Sequence, residues 1–108
     1  MKWYRIFASH EEAETILPIN TLRRLNAAGR KVCLAHTADG FYAVDDACPH
    51  QRASLSEGHL NGYNEVICPL HGYRYDLKSG QECRQKSDDA VTHRLEWRDD
   101  GLYLGLPS

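Results

Sequence analysis

The sequence lacks several features that would assign it to familiar functional classes. No apolar run approaches the roughly 20 residues of a membrane-spanning helix, so we expect no membrane anchor. The 13 Lys and Arg residues are outnumbered by 15 Asp and Glu, and a net charge of -2 argues against nucleic acid as a partner. A glycine-rich nucleotide-binding fingerprint is also missing. Residues 1–5 lack the apolar core of a signal peptide, so a cytoplasmic location is expected.

The distribution of the cysteines argues against a disulfide framework. At 108 residues the chain is expected to form one domain, residues 1–108. Of its four cysteines, Cys48 and Cys68 each have a histidine two or three residues further on, whereas Cys33 and Cys83 do not. Disulfides are rare in reducing compartments, and no export signal is present. We therefore favour a metal site, with Cys33 as a small buried residue of a strand.

Two Cys/His pairs dominate the sequence. The first is Cys48-Pro49-His50 and the second is Cys68-Pro69-Leu70-His71. Each places a soft thiolate and an imidazole close enough to share one metal centre. This donor set is typical of a Rieske-type [2Fe–2S] cluster, in which two cysteines hold one iron and two histidines hold the other.

The residues around these pairs suit a rigid redox centre. Pro49 and Pro69 fix their own φ and remove a backbone donor, which leaves the following N–H groups free to point at sulfur. Gly72 is expected to allow close approach of the backbone. Because two neutral imidazoles replace two thiolates, the potential is expected to lie at roughly −150 to +300 mV, against about −400 mV for all-cysteine plant-type clusters.

Other uses of these residues are less consistent with their spacing. Two Cys and two His could bind zinc, but zinc fingers usually separate the cysteine pair from the histidine pair. A Cys/His nucleophile would need only one of the two pairs. His36, His59 and His93 have no paired cysteine and are expected to be surface or partly packed histidines.

The hydrophobic pattern predicts an all-β fold, a small antiparallel sandwich or barrel. Residues 19–25 could form a strand or a short helix, and the acidic residues 9–14 a loop or one helical turn. An Asp-Gly hairpin signal separates two of the predicted strands. The strands are expected at residues 2–7, 31–36, 41–44, 66–67, 91–97 and 102–106.

Over most of its length the chain resembles the Rieske ferredoxin family. The residues that carry the resemblance are the two Cys/His pairs, Leu55, Gly58, Leu60, Gly72, Arg74-Tyr75-Asp76 and Gly80. It implies an antiparallel β sandwich with a cluster-binding subdomain, formed here by loops within about residues 45–76. It also implies one [2Fe–2S] cluster per chain. Cys48 and Cys68 would then bind the buried iron, and His50 and His71 the outer iron.

The chain differs from the respiratory members of that family at informative positions. Those members have a membrane anchor and a disulfide between the ligand loops, whereas here Leu70 stands where one of the cysteines would be. They also use a serine and a tyrosine to hydrogen-bond sulfur. Tyr73 occupies the serine position and Tyr75 the tyrosine position. We expect Tyr75 to donate to a sulfur near Cys48; the alternative is a core aromatic whose hydroxyl bonds elsewhere.

A further difference concerns the cover of the cluster. Where relatives often have a proline-containing loop, residues 84–89 are polar and contain no proline. The resemblance therefore leaves open how the cluster is shielded from solvent.

The resemblance implies a one-electron carrier that is not itself a catalyst. Electrons would come from a flavin-containing NAD(P)H reductase and pass to a terminal oxygenase or another acceptor. The alternative is an accessory or regulatory subunit, similar to nitrite reductase small subunits. The expected docking surface surrounds His50 and His71 and includes Gln51, Arg52 and Leu70.

Overall fold

Residues 1–50 and 52–107 are described by the computed structural model, which is almost entirely β structure. The predicted all-β class is thereby confirmed. In chain order the elements are β1 (Lys2–Phe7), α1 (His10–Ile16), β2 (Thr21–Ala27), β3 (Arg30–Thr37), β4 (Gly40–Asp45), a 3-10 helix (Leu55–Glu57), β5 (His59–Leu60), β6 (Glu65–Ile67), β7 (Arg74–Asp76), β8 (Thr92–Arg98) and β9 (Gly101–Leu106).

The strands form two antiparallel sheets. A six-stranded curled sheet has the order β1-β9-β8-β4-β3-β2, and a three-stranded sheet has the order β5-β6-β7. The first and last strands pair along their lengths, with Lys2 opposite Leu106. In sequence the small sheet lies between β4 and β8, within the segment that contains both Cys/His pairs: the first pair precedes the 3-10 helix and the second lies between β6 and β7.

The two ambiguous segments near the N-terminus are resolved. Residues 19–25 belong mainly to β2, which pairs with β3 from Thr21 opposite His36 onward. The acidic segment forms the helix α1, longer than the expected single turn. Ser9 caps it by accepting a hydrogen bond from the Glu12 N–H at 3.1 Å, and the Glu12 carboxylate accepts from the Ala8 N–H at 3.0 Å. This reciprocal capping explains why the helix begins where it does.

Buried side chains form two adjacent hydrophobic cores. The first joins α1 to the six-stranded sheet and includes Phe7, Leu17 and Leu104. The second lies under the small sheet and contains Leu55, Val66, Tyr75 and Leu77 together with three of the four cysteines, Cys33, Cys48 and Cys68. The cysteine side of both Cys/His pairs is thus embedded in apolar packing. Within residues 1–50 and 52–107, no helix is long and apolar enough to span a bilayer.

Candidate metal centre

The first Cys/His pair lies on a short loop that its own backbone closes. The Cys48 N–H donates to the Ala53 carbonyl at 2.8 Å, and the Arg52 N–H donates to the Cys48 carbonyl at 2.7 Å. Ala47 and Ser54 form a bridge at the base of the loop. These bonds hold the loop in a fixed shape between β4 and the 3-10 helix.

A buried carboxylate that sequence analysis did not single out anchors this loop. Asp46 is only 3% exposed, and its side chain accepts hydrogen bonds from the Ser56 N–H at 2.8 Å and from the Ser54 hydroxyl. Its backbone also accepts from the Leu55 N–H at 2.7 Å. Acceptors on Asp46 thus tie the start of the loop to its end. A sequence signal existed only in the Asp and Ser residues that flank the loop, which are common turn residues.

The second Cys/His pair lies on the hairpin between β6 and β7. The Cys68 N–H donates to the Tyr73 carbonyl at 2.8 Å and closes this loop in the same way as the first. His71 and Gly72 follow one another in the left-handed region, with φ of 67° and 68°. A Cβ added to Gly72 would meet no described atom within 4 Å. Lack of space among the described residues therefore does not require glycine here, whereas the positive φ of this residue favours it. A non-glycine residue at positive φ is uncommon, and such strain is often found at functional sites.

Close backbone approach brings the two loops together. At Gly58, directly after the 3-10 helix, an added Cβ would lie 1.9 Å from the Ile67 carbonyl oxygen, an impossible contact. Ile67 is the residue before Cys68. The absence of a side chain at Gly58 therefore permits the end of the first loop segment to pack against the start of the second.

The two cysteines of the pairs are buried side by side. Cys48 is 0% exposed and Cys68 is 1% exposed. Burial raises the pKa of the Cys68 thiol to about 11; a backbone hydrogen bond from Leu70 acts in the opposite direction, and the neighbouring Cys48 thiol adds to the rise. The Leu70 N–H therefore points at sulfur, as the position of Pro69 in the sequence predicts.

The two histidine rings are in contact and are more exposed than the two cysteines. Their ring centroids are 5.6 Å apart with planes inclined at 69°, and His71 is exposed whereas His50 is half-buried. Tyr73 stacks on the His50 ring at 4.0 Å with planes 12° apart, which fixes the orientation of that ring. Among the described residues, the buried His50 Nδ1 has no hydrogen-bond partner. A buried nitrogen of this kind is costly unless something else, such as a metal, takes its lone pair.

The donor geometry fits a two-iron cluster. In the described residues, no three His, Cys, Asp or Glu side chains converge on one point at the spacing of a single metal ion. The four donors instead form a buried cysteine pair and an outer histidine pair. A [2Fe–2S] cluster of the mixed type takes its protein donors in two pairs, one for each iron. The buried His50 Nδ1, which has no hydrogen-bond partner among the described residues, would be available to the second iron of such a cluster.

Tyr75 contacts the sulfur of Cys48. Its ring is fully buried, and its hydroxyl lies 3.3 Å from the Cys48 sulfur and 2.9 Å from the Ser87 hydroxyl. The predicted contact with a sulfur near Cys48 is therefore present; its effect on a potential stays a prediction. Burial raises the pKa of the Tyr75 phenol well above its usual value, so the hydroxyl keeps its proton at neutral pH.

The remaining residues predicted around the site occupy its rim. Pro49 is half-buried and Pro69 is exposed. Leu70 is 38% exposed beside His71, and Arg52 is exposed with φ of 58°. Gln51 lies outside the described residues.

Of the three histidines predicted to lie outside the site, one is exposed and two are packed into the interior. His59 is exposed, as expected. His36 is more buried than predicted: its Nδ1 lies 2.8 Å from the Leu17 carbonyl and its ring stacks on Phe41 at 3.9 Å. The His93 side chain is 2% exposed because its Nε2–H donates to Asp45 at 2.7 Å. Satisfied ring nitrogens allow these side chains into the interior.

Comparison with known protein families gives one clear match. The model of the Rieske [2Fe–2S] domain matches residues 2–95. That range includes both Cys/His pairs, the whole small sheet and most of the larger one.

Known proteins of two kinds are similar to the chain. The 3-phenylpropionate/cinnamic acid dioxygenase ferredoxin subunit of Shigella boydii serotype 4 (strain Sb227) is 34% identical over 77 residues, which are 70% of this chain and 73% of that protein. Among solved structures, a chain from the complex of reduced oxygenase and oxidised ferredoxin in carbazole 1,9a-dioxygenase is 28% identical with a TM-score of 0.78, covering 94% of this chain and 91% of the other.

A third similarity concerns the fold alone. A protein named as a nitrite reductase (NADPH) small subunit superposes with a TM-score of 0.80 at 23% identity, covering 98% of this chain and all of the other. The fold is therefore shared between ferredoxins and at least one reductase subunit.

Proposed function

This chain belongs to the family of Rieske [2Fe–2S] domains, and from that premise we propose that it carries single electrons between a reductase and an oxygenase. The family binds one [2Fe–2S] cluster. The observation that carries the proposal is the arrangement of the four residues as a buried cysteine pair and a contacting histidine pair that is exposed at His71.

We assign the ligands by position. Cys48 and Cys68 would hold the inner iron and His50 and His71 the outer one. The support is that both loops are closed by backbone bonds, the two cysteines are neighbours, and Nδ1 of His50 is buried without a partner among the described residues. When bound, such a cluster accepts and releases one electron at a potential set by its ligands and by hydrogen bonds to sulfur.

The chain's own residues would keep that centre rigid and dry. The Leu70 N–H points at the Cys68 sulfur, the Tyr75 hydroxyl contacts the Cys48 sulfur, and Tyr73 covers the face of the His50 ring. Rigid donors limit the rearrangement that accompanies electron transfer. The second core excludes water from the cysteine side, so electrons would enter and leave on the histidine side.

A reductase and an oxygenase are the partners we propose. The Shigella relative is named as the ferredoxin subunit of a dioxygenase, and the carbazole 1,9a-dioxygenase structure is a complex of an oxygenase with its ferredoxin. By analogy, electrons would come from a flavin-containing NAD(P)H reductase and pass to a terminal oxygenase. The ferredoxin itself would transform no substrate.

A basic groove beside the first ligand loop is our candidate docking surface, together with His50, His71, Leu70 and Gln51. The groove is a cavity of about 460 Å³ whose lining includes Arg24, Lys31 and Arg52. The lining also includes Asp45 and Asp46, and Arg24 forms an ion pair with Asp46 at 4.0 Å. Among the described residues, the side chains of Lys31 and Arg52 have no carboxylate partner and are therefore available to acidic groups of a partner.

Electron paramagnetic resonance of the dithionite-reduced protein, with iron and sulfide analysis, tests the cofactor and its ligands. We expect a rhombic signal of low average g, with about two iron and two sulfide per chain. Cys68→Ser and His71→Gln should lose both the signal and most of the iron, because each removes a donor. Cys83→Ser is the matched control and should keep both.

The contrary result is equally clear. Silence in the spectrum with zinc in the metal analysis would overturn the assignment of the cluster. A normal spectrum in both ligand variants would show that other residues bind the iron.

An accessory subunit of another reductase is the second candidate, favoured only by the shared fold with the nitrite reductase small subunit. Reconstitution discriminates the two. Transfer of electrons from the reduced protein to an oxygenase encoded beside its gene supports the ferredoxin function, and transfer only to a nitrite reductase supports the second.

We further propose a cytoplasmic location. Cys33 and Cys83 remain thiols within the described part of the chain, and thiols persist in reducing compartments. Fractionation of the native host, with the protein recovered in the fraction that contains cytoplasmic markers, is the direct check.

A further inference from the structure

Three hydrogen-bond contacts link the polar loop after Cys83 to the buried cysteine pair. The Ser87 hydroxyl donates to the Asp88 carbonyl at 2.9 Å. It also lies 2.9 Å from the Tyr75 hydroxyl, which in turn lies 3.3 Å from the Cys48 sulfur. Ser87 of the polar loop is thus connected by hydrogen-bond contacts through Tyr75 to Cys48, one of the proposed cluster ligands.

Counting protons limits how these contacts can be made. Tyr75 and Ser87 each carry one hydroxyl proton, and a metal-bound Cys48 carries none. If the Ser87 hydroxyl keeps donating to the Asp88 carbonyl, the Tyr75 hydroxyl must donate to the Ser87 oxygen. The Cys48 sulfur then receives no hydrogen bond from Tyr75. If the Tyr75 hydroxyl donates to the Cys48 sulfur instead, the Ser87 hydroxyl must turn and donate to the Tyr75 oxygen. The orientation of one serine hydroxyl therefore decides whether the Tyr75 hydroxyl donates to the Cys48 sulfur.

Burial and charge favour the second arrangement. A hydrogen bond to a sulfur that carries negative charge is stronger than one between two neutral hydroxyls. The Cys48 contact is buried, whereas the Asp88 carbonyl lies in an exposed part of the loop, where water can replace the serine. Turning the Ser87 proton inward therefore costs little and satisfies the fully buried Tyr75.

We propose that Ser87 is a positioning residue: it orients the Tyr75 hydroxyl so that this hydroxyl donates a hydrogen bond to the Cys48 sulfur, which raises the reduction potential of the cluster. A donor to sulfur withdraws negative charge and favours the reduced state. Donation from Ser87 to the tyrosine oxygen polarises the second bond and strengthens it. The proposal rests on the ligand set proposed above.

A buried carboxylate keeps Ser87 in place. Glu82 is 3% exposed, and its Oε1 accepts from the N–H groups of Arg84 at 3.0 Å and Lys86 at 2.9 Å. The Gln85 N–H donates to the Glu82 carbonyl at 2.9 Å. Burial alone would raise the pKa of Glu82, but the bonds from Lys86 and its neighbours outweigh it and hold that pKa below the usual range. The loop is therefore folded around an ionised side chain and delivers Ser87 to the tyrosine.

Potentiometric titration of the purified, cluster-loaded protein tests the proposal. Four proteins are compared: wild type, Ser87→Ala, Tyr75→Phe and the double variant. We expect the potential to fall in Ser87→Ala and to fall further in Tyr75→Phe. Because Ser87 acts only through Tyr75, the double variant should have the same potential as Tyr75→Phe.

Two control variants isolate the hydroxyl. Ser79→Ala removes an exposed serine from the turn after β7 and should leave the potential unchanged. Ser87→Thr keeps the hydroxyl and should restore most of the wild-type potential. An unchanged or higher potential in Ser87→Ala would overturn the proposal, since it would mean that the serine is irrelevant or competes for the tyrosine proton. Additive losses in the double variant would also overturn it.

The failure of this inference can be told apart from failure of the proposed function. If the wild-type protein shows no rhombic resonance signal, the ligand assignment fails and there is no cluster whose potential could be titrated. If the signal is normal and the potentials of Ser87→Ala and wild type coincide, only the role of Ser87 fails.

Discussion

Cys33 and Cys83 lie outside the ligand loops and differ in every property that governs thiol chemistry. Cys33 is fully buried in β3, whereas Cys83 is exposed and donates to the Glu82 carboxylate at 3.2 Å. Burial, with a smaller contribution from Asp46, raises the pKa of the Cys33 thiol to about 12. At pH 8 the thiolate fraction of Cys33 would be on the order of one in ten thousand.

Alkylation should therefore distinguish the two thiols. With iodoacetamide at pH 8, we expect the folded, cluster-loaded protein to be modified at Cys83 and to leave Cys33 unreacted, because only the former is exposed and only thiolates react. Peptide mass spectrometry locates the label.

Cys83→Ser provides the control and should take up no label until denaturant is added. Rapid labelling of Cys33 in the native protein would show that β3 is open to solvent, in conflict with its burial.

Contacts within a motif could be predicted from the sequence, and contacts between distant segments could not. Tyr75 lies within a few residues of His71, so the family resemblance predicts its approach to a ligand sulfur. Asp46 and Ser87 are ordinary turn residues by sequence. Their roles depend on which carbonyls, hydroxyls and N–H groups the folded chain brings to them, and no local pattern records that.

Strands β3, β4 and β8 are joined by one charged cluster. Arg30 donates through Nε and one terminal nitrogen to both oxygens of Asp45, each at 2.9 Å, and His93 donates to Oδ1 at 2.7 Å. Burial on its own would raise the pKa of the Asp45 carboxyl, but the bonds from Arg30 and His93 outweigh it and hold the pKa below its usual value. The carboxylate is therefore worth more to the folded chain when ionised.

Asp45→Asn should destabilise the protein in a pH-dependent way. A lowered folded pKa means that the stabilisation is present above the unfolded value of about 3.9 and is lost as pH falls through the folded pKa. At pH 7 we expect a loss of about 1–2 kcal/mol, since the carboxylate is partly exposed and the bonds are charge-assisted. Denaturant unfolding of both proteins from pH 7 down to about pH 2 measures the difference, which should shrink as pH falls below about 3.9.

The comparison has a matched control in Asp99→Asn, which alters an exposed residue of the β8–β9 turn and should have little effect. A loss in Asp45→Asn that grows below pH 4 would contradict the lowered pKa.

Elements with strong alternation were predicted within a residue or two, and the weak ones were not. Strands β1, β3, β8 and β9 coincide closely with their expected positions. Strand β2 could not be told from a helix, because its exposed Arg23 and Arg24 fit either pattern and only pairing with β3 decides. β5 has just two residues, too few to produce a periodic signal.

The charge of the whole molecule is near balance, yet cations gather beside one ligand loop. The groove that contains Arg24, Lys31 and Arg52 adjoins the proposed path of electrons. Uneven charge of this kind steers partners and sets association rates more than affinity. We therefore expect docking to depend on ionic strength.

Arg52→Glu should slow reduction by the reductase, or oxidation by the oxygenase, by roughly an order of magnitude at low salt. The absorption and resonance spectra should be unchanged, because the hydrogen bond of Arg52 to the ligand loop is made by its backbone N–H, which donates to the Cys48 carbonyl at 2.7 Å and is kept in the variant. Stopped-flow kinetics at two salt concentrations measures the effect, which should shrink as salt rises.

Arg94→Glu reverses an exposed charge on β8, opposite Gly105, and is the matched control. Equal rates for Arg52→Glu and wild type would exclude a role for that charge in docking.

For the molecule as a whole, the sequence predicted the class of fold but not the order of the strands in the sheets. The resemblance implies a sandwich with a metal-binding end, and the two cores and the small sheet agree with it. The pairing of β1 with β9 could not be predicted, because the partners are separated by nearly the whole chain. Only collapse around a common core specifies which edge strand meets which.

Strand β1 is synthesised before the other strands of the described structure, and its partner β9 after all of them. Lys2 cannot meet Leu106 until the whole segment between them has left the ribosome. At roughly 5–20 residues per second, β1 waits on the order of five to twenty seconds. Both ligand loops emerge during that wait, so the apparatus that delivers iron and sulfide can encounter them before the sheet closes at its edge.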